Sequence, residues 1–270
     1  MGVRQIEQGK EPSVVIQSLS QEWMRHQWQL ELHHADTAHR IIWITKGQGT
    51  ASVNCMGRGF SVHNLFYIPA HSLFSMRILG GCTGFVVTIP SHLPIRHPKH
   101  PIHLRLKSAQ DQQNITGLIE RINTELTTPK LSADVMVQAH CQILNTTIER
   151  LYQTHKDHIR VTRTTHLLER FSTLLSLEYQ QLKTVADYAE YLHVTTTHLS
   201  RVCKASCGLP AASVINQRIL HQARNLLEYS TNPIKEISTS LGFGSPAYFS
   251  RSVQKQFGQA PSDLRRQKRN

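Results

Sequence analysis

The chain has 270 residues, with 30 Lys and Arg against 18 Asp and Glu and a formal net charge of +12 at neutral pH. That length leaves room for two cores, and the basic balance favours a polyanion as partner over a basic one. The longest apolar run, 85 to 89, is far too short to span a membrane, no apolar signal core opens the chain, Ile6 breaks a myristoylation pattern, and five cysteines without a Cys-x-x-Cys pair suit a reducing compartment, so a cytoplasmic protein is expected.

Over residues 1–110 short apolar stretches alternate with Gly, Pro and Asn. They run from Arg40 to Thr45, from Ala51 to Cys55 and from Phe60 to Ile68, parted by Lys46-Gly47-Gln48-Gly49 and Met56-Gly57-Arg58-Gly59, with Leu73 to Leu79 and Gly84 to Ile89 as further strands. Gly-bearing turns between such stretches predict hairpins of a small antiparallel barrel or sandwich. A ligand pocket in it would be mostly apolar with a few convergent polar groups. Trp43, Phe60, Phe66, Tyr67 and Phe85 are wall candidates, and His39, Arg40, Arg58 and His71 could meet a carboxylate. For Trp43 and Phe66 plain core is the more common role of such residues.

Ten of the 17 histidines precede residue 104, which raises the question of a metal. After His33, His34 and His39, however, the next strand reads Arg40-Ile41-Ile42-Trp43-Ile44 without an acid, and no spaced ligand set recurs near His63, His71 or His92. No metal, no cofactor and no catalytic residue is expected.

Residues 111–126 and 132–152 predict helices, separated by Thr127-Thr128-Pro129-Lys130. On the second, Val137, Leu144, Ile148 and Leu151 form an apolar stripe, read as core against the barrel. The polar segment 155–163 reads as a linker.

Two segments fifty residues apart then say nearly the same thing. His198-Leu199-Ser200-Arg201-Val202-Cys203-Lys204 runs to Gly208, and Tyr248-Phe249-Ser250-Arg251-Ser252-Val253-Gln254 runs to Gly258. Upstream, Val185, Tyr188, Leu192 and Val194 answer to Ile234, Ile237, Leu241 and Phe243. Each copy predicts a short helix, a tight turn and a second helix. Thr195 and Ser245 stand where N-cap hydroxyls are wanted, Pro246 at the first helical position, and Gly208 and Gly258 where a left-handed residue ends a helix. Inward-facing Leu199, Val202 and Cys203 leave Thr197, Ser200, Arg201 and Lys204 outside; Phe249, Val253 and Phe257 leave Ala247, Tyr248, Ser250 and Arg251. An exposed Arg among small hydroxyl residues suits the major groove, because a guanidinium can donate twice to a guanine edge. From residue 160 onward, 15 Lys and Arg face only 7 Asp and Glu, and the run Arg265-Arg266-Gln267-Lys268-Arg269 is either a phosphate contact or a solubilising tail. Cys203 and Cys207, one turn apart near His198, are read as helix packing and not as zinc ligands.

Residues from about Phe171 to Arg266 resemble the DNA-binding domain of AraC/XylS-type transcriptional regulators. The signature reads Ile234-x-x-Ile237-x-x-x-Leu241-Gly242-Phe243, Tyr248-Phe249-Ser250-Arg251, and Gly258-x-x-Pro261-Ser262. The resemblance implies two helix-turn-helix units joined by a long helix over 211–229, which sets two recognition helices roughly 34 Å apart on one side of the duplex. It places base contacts on Thr196, Thr197, Ser200 and Arg201 and on Pro246, Ala247, Tyr248 and Arg251, with Lys204 on the same face. Cys203 and Val253 stand where the family usually has Phe, and His193 where Gly is common. Pro246 and Ala247 offer no side-chain hydrogen bond, so the second unit is expected to read fewer bases. Ile41-Ile42-Trp43-Ile44-Thr45-Lys46-Gly47-x-Gly49 with Leu65-Phe66-Tyr67-Ile68-Pro69 is similar to the family's cupin-like sensor domain. Val185-Ala186-Asp187-Tyr188-Ala189 and Val194-Thr195-x-x-His198-Leu199 are most similar to the branch answering aromatic acids.

The expected fold is therefore α+β in two domains. An N-terminal antiparallel cupin-like β-barrel over 1–110 is followed by linker helices over 111–160 and an all-α tandem helix-turn-helix domain over 161–270. The expected function is a non-enzymatic, DNA-binding transcriptional regulator, with promoter DNA and a small organic effector as partners, RNA polymerase and a second copy of the chain as further candidates, and no membrane. The alternative is a metal-dependent cupin enzyme with an appended helical DNA-binding domain.

Overall fold

In the computed structural model, which describes residues 13–154 and 162–269, the alternation of Ile41 and Trp43 with Ile42 and Ile44 divides the N-terminal region into two apolar layers. Strand β1 (Val15–Ser18) leads into helix α1 (Leu19–Glu31). Then β2 (Ala38–Val53), β3 (Met56–Phe60), β4 (Asn64–Ile68), β5 (Phe74–Pro90) and β6 (Ile102–Arg105) complete one antiparallel sheet in the order β1-β5-β2-β4-β6, with β3 paired to the distal half of β2. Leu19 and Leu30 of α1 close one face over Ile42, Ile44, Phe66, Phe74 and Val86. The other face carries α2 (Ala109–Thr127) and α3 (Ala133–Thr154), whose Ile115, Ile119, Ile122, Cys141, Leu144 and Ile148 pack on Ile41, Trp43, Leu65, Tyr67 and Val87.

The glycine-rich stretches behave differently from the expected turns. Lys46 to Gly49 stays inside β2 as an irregularity in its pairing with β5, with Gly47 at φ 95°. The extra residue switches parity, so even-numbered Ile42 and Ile44 and odd-numbered Ala51 reach the same face. Met56 to Gly59 is strand β3, and the reversal is made by Asn54 and Cys55, both left-handed at φ 49° and 59°, as a type I′ hairpin turn demands. The stretches 73–79 and 84–89 fuse into the single strand β5, whereas 60–68 divides at His63 (φ 61°) into β3 and β4.

The C-terminal region is helical: α4 (Arg163–Glu178), α5 (Val185–Leu192), α6 (Thr196–Cys207), α7 (Ala211–Tyr229), α8 (Ile234–Ser240), α9 (Pro246–Phe257) and α10 (Pro261–Arg269). One core joins them, including Phe171 edge to face with Tyr188 at 5.4 Å, Leu199, Val214, Ile215, Leu220, Ile237, Phe249, Val253 and Leu264. Each fully buried Phe or Leu contributes about 1.5–3 kcal/mol through the water it sheds. Most of the expected linker, 155–161, lies outside the described residues. No helix among the described residues is long and apolar enough to cross a membrane.

Candidate nucleic-acid interface

The first unit is built by local hydrogen bonds. Thr184 caps α5 reciprocally with Asp187: the Asp187 N–H donates to Thr184 Oγ1 at 3.3 Å, and the backbone N–H groups of Thr184 and Lys183 donate to Asp187 Oδ2 at 2.8 and 2.9 Å. Those donors hold the Asp187 carboxyl below the usual carboxylate range. His193 ends α5 in the left-handed region at φ 56°, a conformation that His tolerates better than most side chains. Thr195 then caps α6, accepting from the His198 N–H at 3.1 Å, and Gly208 closes it at φ 80°. With Leu199, Val202 and Cys203 buried, Thr196, Thr197, Arg201 and Lys204 are exposed and Ser200 half-buried, so the predicted contact residues share one open face. The Arg201 guanidinium rests against His198 Nδ1 at 3.3 Å.

The second unit repeats the device. Ser245 accepts from the Tyr248 N–H at 3.2 Å, Pro246 occupies the first turn, and Gly258 closes α9 at φ 72°. Phe249 and Val253 are fully buried, Phe257 is half-buried, and Pro246, Ala247, Tyr248 and Arg251 are exposed. Gly242 replaces His193 at the turn, at φ 74°. A Cβ there would run into the Lys183 side chain, whose Nζ donates to the Tyr179 and Leu241 carbonyls at 3.2 Å each. In α10 Arg265 donates to the Asn232 carbonyl at 2.6 Å, tying part of the basic run back to the turn before α8, and Arg266 pairs with Asp263 at 3.5 Å.

The sheet region grips these helices from behind, which no sequence signal announced. Cys55 and Leu73 enter the helical core, in the same cluster as Cys203. Along α7, Gln217 bonds His33 Nδ1 at 2.7 Å, His221 stacks on His34 at 4.6 Å, Tyr229 accepts from Gln29 at 3.3 Å, and Arg224 lies over both Trp28 and Phe257. Trp28 also meets Phe257 edge to face at 6.3 Å, so the sheet region touches the rear of both recognition helices. Burial keeps His34 neutral, its pKa drawn down to about 4 against the pull of Asp36, and lowers His33 and His221 in the same way. Arg218, expected on this helix, is buried with its guanidinium 3.8 Å from the Tyr179 ring centre.

The six effector candidates do not converge. Trp43 and His39 face α2 and α3: Trp43 Nε1 donates to Thr116 Oγ1 at 3.1 Å, and His39 bonds the Tyr67 hydroxyl at 2.9 Å while stacking on His97 at 3.8 Å. Phe66 belongs to the opposite face and stacks on His103 at 4.2 Å, and Arg40 pairs with Asp36 at 2.6 Å beside a cavity of about 10 Å³, room for roughly one water. Arg58 and His71 are exposed on the surface. A single ligand therefore cannot touch both Trp43 and Phe66, because alternate residues of a strand point to opposite faces. A groove of about 460 Å³ lies elsewhere, lined by Gln48, Phe60, Ser61, Asn64, Leu79 and Arg105. Among the described residues no group of three or more His, Cys, Asp or Glu is arranged to hold a metal ion.

Residues 188–267 match a family model described as a helix-turn-helix domain. The chain is similar to the Msm operon regulatory protein of Streptococcus mutans, 26% identical over 153 residues that cover 57% of this chain and 54% of that protein. It is also similar to the lactose operon transcription activator of Staphylococcus xylosus, 23% identical over 155 residues that cover 57% of this chain and 55% of the other. It thus spans about half the length of the curated relatives it matches. Among solved structures, ToxT from Vibrio cholerae aligns at 16% identity with a TM-score of 0.45, covering 95% of this chain and 98% of that one.

Proposed function

We propose, from the premise that residues 188–267 are an AraC-type helix-turn-helix domain, that the chain is a sequence-specific regulator of transcription which reads promoter DNA with α6 and α9. One observation carries the reading. Two recognition helices, each capped at both ends, present Arg201 and Arg251 in equivalent exposed slots while the opposite faces are buried in a common core. Phosphate contacts from Lys204 and other basic groups supply sequence-independent affinity, and the two arginines supply base reading. Footprinting on the region upstream of its own gene tests this: each bound chain should protect two patches about one helical turn apart. Protection of a single patch, or equal affinity for random DNA, rejects it.

In this reading residues 161–270 bind DNA, 1–110 sense an effector and 111–160 link them, with RNA polymerase as the partner met at the promoter and the cytoplasm as the place of action. The stripe Val137, Leu144 and Ile148 is spent on the core, whereas Leu131, Val135, Met136 and Ile143 are exposed on and just before α3. That second stripe supports a homodimer, which sedimentation should detect and Ile143→Glu should dissociate.

The groove with Arg105 at its rim favours a small organic acid, aromatic carboxylates included, as effector. A thermal-shift screen of the full chain should find a stabilising acid whose shift Arg105→Ala reduces. The metal-dependent cupin enzyme is the weaker reading, because its ligand set is missing from the described residues. Stoichiometric metal in the purified protein would restore it.

A further inference from the structure

Three of the five cysteines meet where the sheet rests on the first recognition helix. Cys55 and Cys203 are buried and Cys207 is half-buried at the last turn of α6. The Cys207 thiol donates to the Cys203 and Leu209 carbonyls at 3.3 and 3.7 Å, while Cys55 packs into the same cluster as Cys203 and Cys207 and accepts from Ser172 Oγ at 3.4 Å. Two backbone features bring it there. Asn54 and Cys55 form the left-handed β2–β3 turn, pinned by the Asn54 N–H donating to the Leu73 carbonyl at 2.8 Å and by the Leu73 N–H donating to Asn54 Oδ1 at 3.2 Å. Gly57 then lies directly against the end of α6: a Cβ on it would come within 2.8 Å of the Ser206 carbonyl and 3.2 Å of Cys207 Cα, so only glycine permits this approach.

We propose that Cys207 is a hydroperoxide-reactive thiol that Cys55 resolves, closing a disulfide between the sheet and the first recognition helix. The two thiols are unequal in the required sense. The neighbouring Cys55 draws the Cys207 thiol down to about 7, while its two thiol neighbours and burial hold Cys55 well above its ordinary range. Cys207 is also the more exposed of the two, so a peroxide reaches it first. Its thiolate attacks one peroxide oxygen; the O–O bond breaks, the other oxygen leaves as hydroxide and takes up a proton, and Cys207 becomes a sulfenic acid. The Cys55 sulfur then attacks the Cys207 sulfur, the S–O bond breaks, and the departing hydroxide takes the Cys55 proton. Two thiols lose two electrons, and one hydrogen peroxide becomes two waters. The product ties α6 covalently to the β2–β3 turn, so the first unit can no longer shift against the sheet region, whatever ligand the latter holds.

The full-length protein, reduced and then treated with one equivalent of hydrogen peroxide, should fall from five free thiols to three and return to five with dithiothreitol. Trypsin separates the cysteines, because Lys204 stands between Cys203 and Cys207. The peptide 47–58 should appear linked to 205–218, and a linkage to 202–204 or no linkage at all overturns the proposal. Cys207→Ser should abolish the loss of thiols. Cys55→Ser should leave a sulfenic acid on Cys207 that dimedone traps, without a cross-link. A trap on Cys82 or Cys141 instead of Cys207 also rejects it. The wild-type peptide result stands without either variant, so a folding defect in one cannot shield the idea.

Discussion

The two helix-turn-helix units share a scaffold and differ in what they show and in how they are held. Thr195 and Ser245, Leu199 and Phe249, Gly208 and Gly258 do the same jobs fifty residues apart. On that common frame the first unit displays Thr196, Thr197, Ser200 and Arg201, each with a polar tip. The second displays Pro246, Ala247 and Tyr248 beside Arg251. The first is backed by Cys55 and Gly57 of the sheet region, the second by Trp28. A repeated scaffold therefore preserves its caps and its core, and leaves both the exposed face and the rear contact free to diverge.

The largest expected effect strikes the scaffold. Phe249 is fully buried and meets Phe243 edge to face at 5.0 Å, so Phe249→Ala should cost about 3–5 kcal/mol in urea unfolding, and Leu199→Ala about 2–5. Costs below about 1 kcal/mol at both sites would mean that these helices are not packed as described.

Next come the DNA faces. Replacing Arg201 or Arg251 with Ala should each lose about 1–3 kcal/mol on a specific site and little on random DNA. If the second face reads fewer bases, Arg251→Ala should remove most of the sequence preference in its half of the site, whereas Arg201→Ala should leave part of it to Thr197 and Ser200. Identical profiles at both halves would erase the contrast.

A pH series probes the seam along α7. His34, together with His39 and His103 in the sheet region, has its pKa lowered to about 4 by burial, below the usual value near 6.5. Between those values the unfolded chain binds more protons than the folded one, so stability is present above about pH 6.5 and declines as the pH falls toward 4. From pH 7 to 5 each ring should remove up to about 2 kcal/mol. His34→Gln should flatten the slope, measured by urea midpoints across that range. An unchanged slope would place the proton uptake elsewhere.

The turns make a finer contrast. Gly242→Ala places a Cβ at φ 74° and against Lys183, which should cost about 1–2 kcal/mol or more, while His193→Gly at φ 56° should stay within about 1 kcal/mol. Comparable losses would show that Lys183 moves aside freely.

Such features were legible because they are local. A left-handed Gly, an N-cap hydroxyl and a Pro in the first turn each meet a demand that the neighbouring backbone makes, so α6 and α9 could be bounded from the chain alone, whereas α7, which starts after Pro210 without a side-chain cap, was bounded only by the family resemblance. The sheet was less legible for the converse reason. Whether Lys46 to Gly49 turns the chain or merely shifts parity inside β2 depends on what pairs across from it, and β5 is formed by residues thirty and more positions away. The effector candidates failed to converge because the register between strands, which the sequence does not display, sets Phe66 opposite Ile42 and Leu65 opposite Trp43, on different faces of the sheet. The seam was illegible altogether. Trp28 meets Phe257, and Gly57 meets Cys207, through tertiary packing that leaves no periodicity in the sequence.

The smallest difference tests whether the two caps are equivalent. Thr195 and Ser245 each satisfy one orphan N–H at the start of a recognition helix, and removing such a hydroxyl typically costs about 0.5–2 kcal/mol. Their surroundings are unequal. In α9 the next residue, Pro246, has no N–H to leave unsatisfied and holds φ near its helical value, so part of the initiation cost is met without the cap. In α6 the same position is Thr196, whose N–H stays exposed and whose β-branch adds nothing to helix initiation. Thr195→Ala should therefore cost about 1 kcal/mol, and Ser245→Ala about half as much, both read as shifts in urea midpoint. In the double variant Ser245→Ala with Pro246→Ala the cost should rise to match Thr195→Ala. If Ser245→Ala alone already equals Thr195→Ala, the proline contributes nothing to the start of α9, and the two units differ only in the faces they present.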